Sequence, residues 1–219
     1  MGQQYAINFA NNSINGWSAC VFQQDENIGQ TGVMSLAWFA KKCNPATKCN
    51  FNWTIDYSFV WAETGVLVPG VNFSASQTVA AGLTSNNLIT FDNNGAFLFE
   101  GQGTATPAGS LYIDQTPNIP LYTASVGIGM SGSGTFAVQA QPNINATFTP
   151  HPKYWMAFGQ FTPGDVLDIQ QMSNIVEIDF PANVYTMYVT FNADNSWTVS
   201  QSPSVSVDKS AQLMSARKK

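Results

Sequence analysis

The stretch Phe51-Asn-Trp53-Thr-Ile55-Asp-Tyr57-Ser-Phe59-Val-Trp61 puts six large apolar side chains on the odd positions, with Asn52, Thr54, Asp56 and Ser58 between them. Alternation at period two is the mark of a strand with one apolar face. Read as a single strand it would run about 36 Å at roughly 3.3 Å per residue, long enough to span a sheet. Outward from it lie further short apolar runs: 5–9, 17–22, 33–39, 66–73, 88–91, 96–99, 110–113 and 122–129. More follow at 135–140, 146–149, 153–158, 166–170, 175–180, 184–191 and 196–201. Asn94-Gly95 and Asn15-Gly16 mark hairpins, because both residue types tolerate positive φ, and Ala193-Asp194-Asn195 marks a looser one. No segment keeps a helical period for three turns. A dozen or more strands at 8–12-residue spacing give an all-β fold, an antiparallel β-sandwich or jelly roll with little or no helix.

The whole chain, 219 residues, fits one such domain over 1–208, followed by a basic tail at 209–219. Gly101–Gly109 is the best candidate for a boundary, and a loop inside one sandwich is the simpler reading. Apolar residues make up 44%, enough for a core, whereas charged residues make up only 10% against roughly 25% in common soluble domains. With one histidine and one arginine, the chain lacks the basic face that phosphate binding needs, so nucleic acid is not an expected partner. All 13 acidic residues and four lysines precede position 209, after which come Lys209, Arg217, Lys218 and Lys219. The start has no basic, apolar leader, and no run approaches a membrane span of about 18 apolar residues. A cytoplasmic protein is the expectation.

Candidate chemistry is sparse. His151 is stiffened between Pro150 and Pro152, and the turn-like Ser131-Gly-Ser-Gly134 lacks the lysine of a phosphate loop. Paired acids at Asp165/Asp168 or Asp56/Glu63 could serve a glycosidase, but the first pair reads as turn residues. Asp56 and Glu63 would point to opposite sides of their strand. No metal site, cofactor or enzymatic activity is expected. Asn44-Pro45 starts a turn that brings Cys43 and Cys49 together, so a disulfide is one reading of that loop. The odd count of three cysteines, with Cys20, favours free thiols. Six tryptophans raise the alternative of glycan binding, with Trp17 and Trp197, both beside turns, the least core-like of them.

The motifs Ser35-Leu-Ala-Trp-Phe39, Trp53–Trp61 and Gly70-Val-Asn-Phe-Ser-Ala-Ser-Gln77, with Asn11-Asn-Ser13 and Cys20-Val-Phe-Gln23 before them, resemble the RhiA family over the first hundred residues. Those are bacterial proteins expressed in the rhizosphere by plant-associated bacteria. The resemblance implies a cytoplasmic protein with no established activity and a role in plant–microbe association; it carries over no catalytic residue. Neutral amides and hydroxyls, few charges and an acidic body with a basic tail then suggest a homo-oligomer or larger assembly, with Lys209, Arg217, Lys218 and Lys219 setting its orientation. A membrane-binding or pore-forming β protein is a further alternative.

Overall fold

The computed structural model describes residues 2–24 and 32–203. Its seventeen strands form four sheets, and no helix occurs among the described residues. One sheet runs β17 (Trp197–Ser200), β16 (Thr186–Phe191), β1 (Gln4–Asn11), β5 (Thr47–Thr54). A second runs β15 (Val176–Ile178), β14 (Tyr154–Gly159), β2 (Trp17–Gln23), β4 (Phe39–Cys43). These two share a core in which Ile7, Phe9, Phe51, Trp53, Val189 and Phe191 meet Val21, Tyr154 and Met156. The third sheet runs β3 (Met34–Ser35), β12 (Ser133–Gln139), β11 (Ser125–Met130), β6 (Tyr57–Ala62), β7 (Gln77–Ala81). The fourth runs β13 (Asn145–Phe148), β10 (Leu111–Gln115), β8 (Leu88–Asn93), β9 (Phe97–Gly103). Their core joins Phe59, Trp61, Val126 and Ile128 to Ile89, Phe91, Ile113 and Phe148. The fold is all-β and holds two sandwich cores. Pairing is antiparallel except for β1 with β16 and β8 with β10.

The aromatic stretch that announces the fold is not one strand. It is β5 and β6, which belong to different sheets. Phe51 and Trp53 face the first core, Phe59 and Trp61 the second, and Tyr57 packs against both. The corner falls at Ile55, 43% exposed, and Asp56. It is held from outside by Ser131, in the turn between β11 and β12. The Ser131 amide donates to Asp56 Oδ1 at 2.9 Å, and its hydroxyl lies 3.0 Å from both Asp56 Oδ1 and Thr54 O. Period two persists through the corner because both cores ask for apolar residues at the same phase.

Two further readings are corrected. Asn15-Gly16 joins β1 to β2, which lie in different sheets, so it is a crossing between layers rather than a hairpin. Residues 66–73 and 166–170 are loops that make isolated bridges, Asn72 with Asp165 and Leu36 with Val166. Leu67, Phe73 and Val166 cover the outer face of the third sheet, while Leu167 covers that of the second. These covers explain why β6 and β11 are buried almost throughout. Asn94-Gly95 and Asn195 do close hairpins, with Gly95 at φ 84° and Asn195 at φ 62°. Of the stretch 101–109, residues 101–103 end β9 and the rest lead on to β10 in the same sheet.

Neutral amides lie inside the fold as well as on its surface. Asn11 is fully buried; its Nδ2 donates to Asn15 O at 2.7 Å and Cys43 O at 2.9 Å, and its Oδ1 accepts from Ser13. Gln77 Oε1 accepts from Trp61 Nε1 and from the Phe99 amide, both at 2.8 Å, and Gln102 Nε2 donates to Ala80 O at 2.6 Å. These bonds stitch edge strand β7 to β9. The edge is guarded by glutamines where lysine would be the usual blocker.

Candidate functional site

Trp17 opens β2 and remains 39% exposed, its ring centroid 5.7 Å from that of Phe158. It overlooks an open groove of about 510 Å³ lined also by Ser18, Lys42, Gln160 and Thr162. Trp197 behaves differently. Its ring packs 4.8 Å from Phe191, and its indole NH donates to Asn174 Oδ1 at 2.8 Å. It belongs to the edge of the first core and offers no open platform. The two tryptophans stand at the ends of one aromatic row, Trp17–Phe158–Phe191–Trp197, and form no common site.

The acids are engaged in turns. Asp165 accepts from Asn72 Nδ2 at 2.9 Å and from the Thr162 amide at 2.6 Å, and Asp168 accepts from the Gln171 amide at 3.3 Å. Asp56 and Glu63 lie just beyond the two ends of β6, too far apart to share a substrate bond. His151 is exposed, its Nδ1 3.1 Å from Thr149 O. Asp92 is held below the usual carboxylate range first by the Thr116 hydroxyl and then by Asn118, and Asp194 by Ser196. Among the described residues no three His, Cys, Asp or Glu side chains gather as a metal site. No described helix is long and apolar enough to cross a membrane.

Cys43 and Cys49 are free, and so is Cys20; the loop bridge is not formed. Each sulfur is turned to a backbone acceptor instead, Cys43 Sγ 3.6 Å from Thr47 O and Cys49 Sγ 3.6 Å from Lys42 O. Burial, with Cys43 adding and Lys41 opposing, pushes the Cys49 thiol up to about 12, and burial raises Cys20 as well. Thiols so shifted stay protonated and are poor nucleophiles. The basic residues proposed to guide assembly, Lys209, Arg217, Lys218 and Lys219, lie outside the described residues.

An arrangement not legible in the sequence lies at one end of the second sandwich. Gln139 clamps two loops together: its Nε2 donates to Gly65 O at 3.0 Å and Ala124 O at 2.8 Å, and its Oε1 accepts from the Leu67 amide at 2.7 Å. The clamp joins the loop of exposed Val66 to the loop of Leu121 and Tyr122, which are 53% and 62% exposed. Tyr122 sits at φ 61°, a left-handed conformation that costs a bulky residue about 1–3 kcal/mol. Strain and exposed apolar surface thus coincide at one place.

Two phenols give the fold a pH dependence. Burial pushes both Tyr57 and Tyr154 up to about 12 from a usual 10. The unfolded chain releases these protons near pH 10 while the folded chain keeps them until about 12. Above pH 10 the unfolded state therefore binds fewer protons, and stability falls as pH rises. The Tm should drop steadily from pH 10 to 12, with phenolate absorbance appearing together with unfolding; a flat Tm across that window contradicts it.

The RhiA family model matches residues 2–202, well past the hundred residues that carry the resemblance in the sequence. Protein RhiA of Rhizobium leguminosarum bv. viciae is 38% identical over 209 residues, covering 90% of this chain and 87% of the relative. No solved structure matches.

Proposed function

The chain belongs to the RhiA family, and from that premise we propose that it acts by association rather than catalysis, as a non-enzymatic β-sandwich protein that binds further copies of itself in a role tied to contact between bacteria and plants. One observation carries the reading: Val66, Leu121 and Tyr122 are all exposed on two loops that Gln139 clamps together, with strained backbone at Tyr122. Apolar side chains held out in this way gain about 1.5–3 kcal/mol each when a second copy covers them. The basic end, Lys209, Arg217, Lys218 and Lys219, would orient copies against the acidic body, with contributions of about 0–1 kcal/mol per exposed pair.

Light scattering and negative-stain microscopy on the full chain test this. Leu121→Ser should weaken assembly about tenfold or more. Tyr122→Gly should weaken it too while leaving the Tm equal or higher, since glycine relieves the backbone strain. A full-length protein that stays monomeric at high concentration and low salt rejects the proposal.

Glycan binding is the second reading, favoured by Trp17 alone: a half-open indole above a groove bordered by hydroxyl and amide groups. A glycan array should then give hits that Trp17→Ala abolishes without change in Tm. An array without hits removes it.

A further inference from the structure

At the outer corner of the first sandwich, three rings from distant parts of the chain close on one another. Tyr5 on β1 stacks on Trp53 of β5 at 6.0 Å and 14°, and Tyr154 of β14 lies 4.9 Å from Trp53. Phe180, on the loop after β15, meets all three edge-on, at 5.3 Å from Tyr5, 5.7 Å from Trp53 and 5.6 Å from Tyr154. A cleft of about 220 Å³ opens beside them, bordered by Ile55, Tyr154 and Phe180, with Lys153 and Glu177 among its exposed lining residues.

Two polar atoms of this cluster are left over. Trp53 is 2% exposed and Tyr154 5%, yet neither the indole NH nor the phenol OH has a hydrogen-bond partner. The NH lies near enough to the Tyr154 oxygen to favour its ionisation slightly, but short of bonding geometry. Each orphan carries a desolvation cost that no bond offsets. Nothing in the packing requires them, because phenylalanine at 154 would keep every ring contact. A buried donor that the fold leaves unmatched is a donor free for a ligand.

We propose that this corner binds a small aromatic compound bearing a hydroxyl or carbonyl group. Its ring lies against Tyr154 and Phe180, and its oxygen takes the Trp53 NH and the Tyr154 OH. Tyr154 lines the cleft and Trp53 does not, so in this binding mode the Phe180 side chain, 5.7 Å from Trp53, turns aside to let the ligand oxygen reach the Trp53 NH. The number of polar partners decides the class. A sugar would bring several hydroxyls to a buried end that answers only two, since Lys153, Glu177 and Asp179 are exposed lining residues, and those left there unpaired would each carry a cost. The volume is below the roughly 300–1,000 Å³ of sites for drug-sized molecules, so one ring is the size that fits.

Calorimetry and ligand-observed NMR on the full chain, with phenol and acetophenone as probes and toluene and glucose as controls, decide the matter. Phenol or acetophenone should saturate, glucose should not bind, and toluene should bind at least about tenfold more weakly. Tyr154→Phe should lower affinity about tenfold while leaving the Tm equal or higher, because it removes an orphan. Trp53→Phe, which opens a cavity and so lowers the Tm, should show the same loss of affinity if Tyr154→Phe folds poorly. Binding that survives both substitutions, toluene binding as well as phenol, or no saturation by either probe overturns the proposal. Trp17→Ala, which tests the groove, should leave this binding unchanged.

Discussion

Gly127→Ala should yield no folded protein. Gly127 is central in β11, between Val60 of β6 and Ala137 of β12. Its φ is not in the left-handed region, so freedom of backbone is not the reason for glycine here. Space is the reason. A Cβ at this position would stand 2.0 Å from Phe136 O and 2.9 Å from Ala137 Cα, both backbone atoms of the adjacent strand. Gly129, two residues on and past the register shift at Ile128, is under similar pressure from Ser133 O at 2.6 Å. Relief would need β12 to move away from β11, and β12 carries Phe136 and Val138 into the second core. Overpacking of flexible side chains costs about 1–3 kcal/mol, and a rigid backbone clash belongs with the rare losses above about 4–5. That is comparable to the whole stability of many domains. Gly103→Ala is the control, since its nearest atoms are 3.9 Å away and its cost should stay near about 0.5 kcal/mol. Circular dichroism and a urea midpoint on both variants decide it; a Gly127→Ala midpoint close to the parent's defeats the argument.

Trp38→Ala should cost about 3–5 kcal/mol, the range for deleting a buried large aromatic. Trp38 is 1% exposed and lies between β3 and β4, one strand in each sandwich. Its ring sits in the first core, 5.3 Å from Trp53 and 6.1 Å from Tyr154. Its NH donates to Met130 O at 2.8 Å, at the end of β11 in the other sandwich. Trp38→Phe keeps much of the packing and loses the bond, leaving a buried carbonyl unmatched for about 1–3 kcal/mol. Urea unfolding should rank the parent above Trp38→Phe and Trp38→Ala lowest. A Trp38→Phe variant as stable as the parent would mean that the bond to Met130 contributes nothing.

The parts legible in the sequence were those with local causes. Asn94-Gly95 and Asn195 set hairpins because positive φ is a property of single residues. Phe51, Trp53, Phe59 and Trp61 were readable as core because burial selects large apolar side chains. The corner at Ile55-Asp56 was hidden because alternation records the phase of a face and not which sheet the face belongs to. Residues 66–73 and 166–170 imitated strands because a loop that covers a sheet must also be apolar. The pairing of β1 with β16 left no mark, since its partners are some 180 residues apart and parallel. The corner of Tyr5, Trp53 and Tyr154 was illegible for the same reason: no spacing joins residues drawn from three remote strands. Trp197 misled because proximity to a turn does not make a side chain open; Asn174 already holds its NH.

The interleaving of the two sandwiches sets the order in which a growing chain can fold. β1 and β2 leave the ribosome first, yet their neighbours β16 and β14 are made about 130 to 180 residues later. At synthesis rates of roughly 5–20 residues per second the early strands wait on the order of ten seconds or more. Meanwhile β6 to β13, contiguous along the chain, can assemble their own sandwich during translation. The newborn protein thus carries a finished second half and an open first half, whose Phe9, Phe51 and Trp53 have β1 and β5 to pair but no opposing sheet complete. A nascent chain in that state is the form most in need of a holding chaperone, and β14 to β17, over residues 154–200, decide whether it closes.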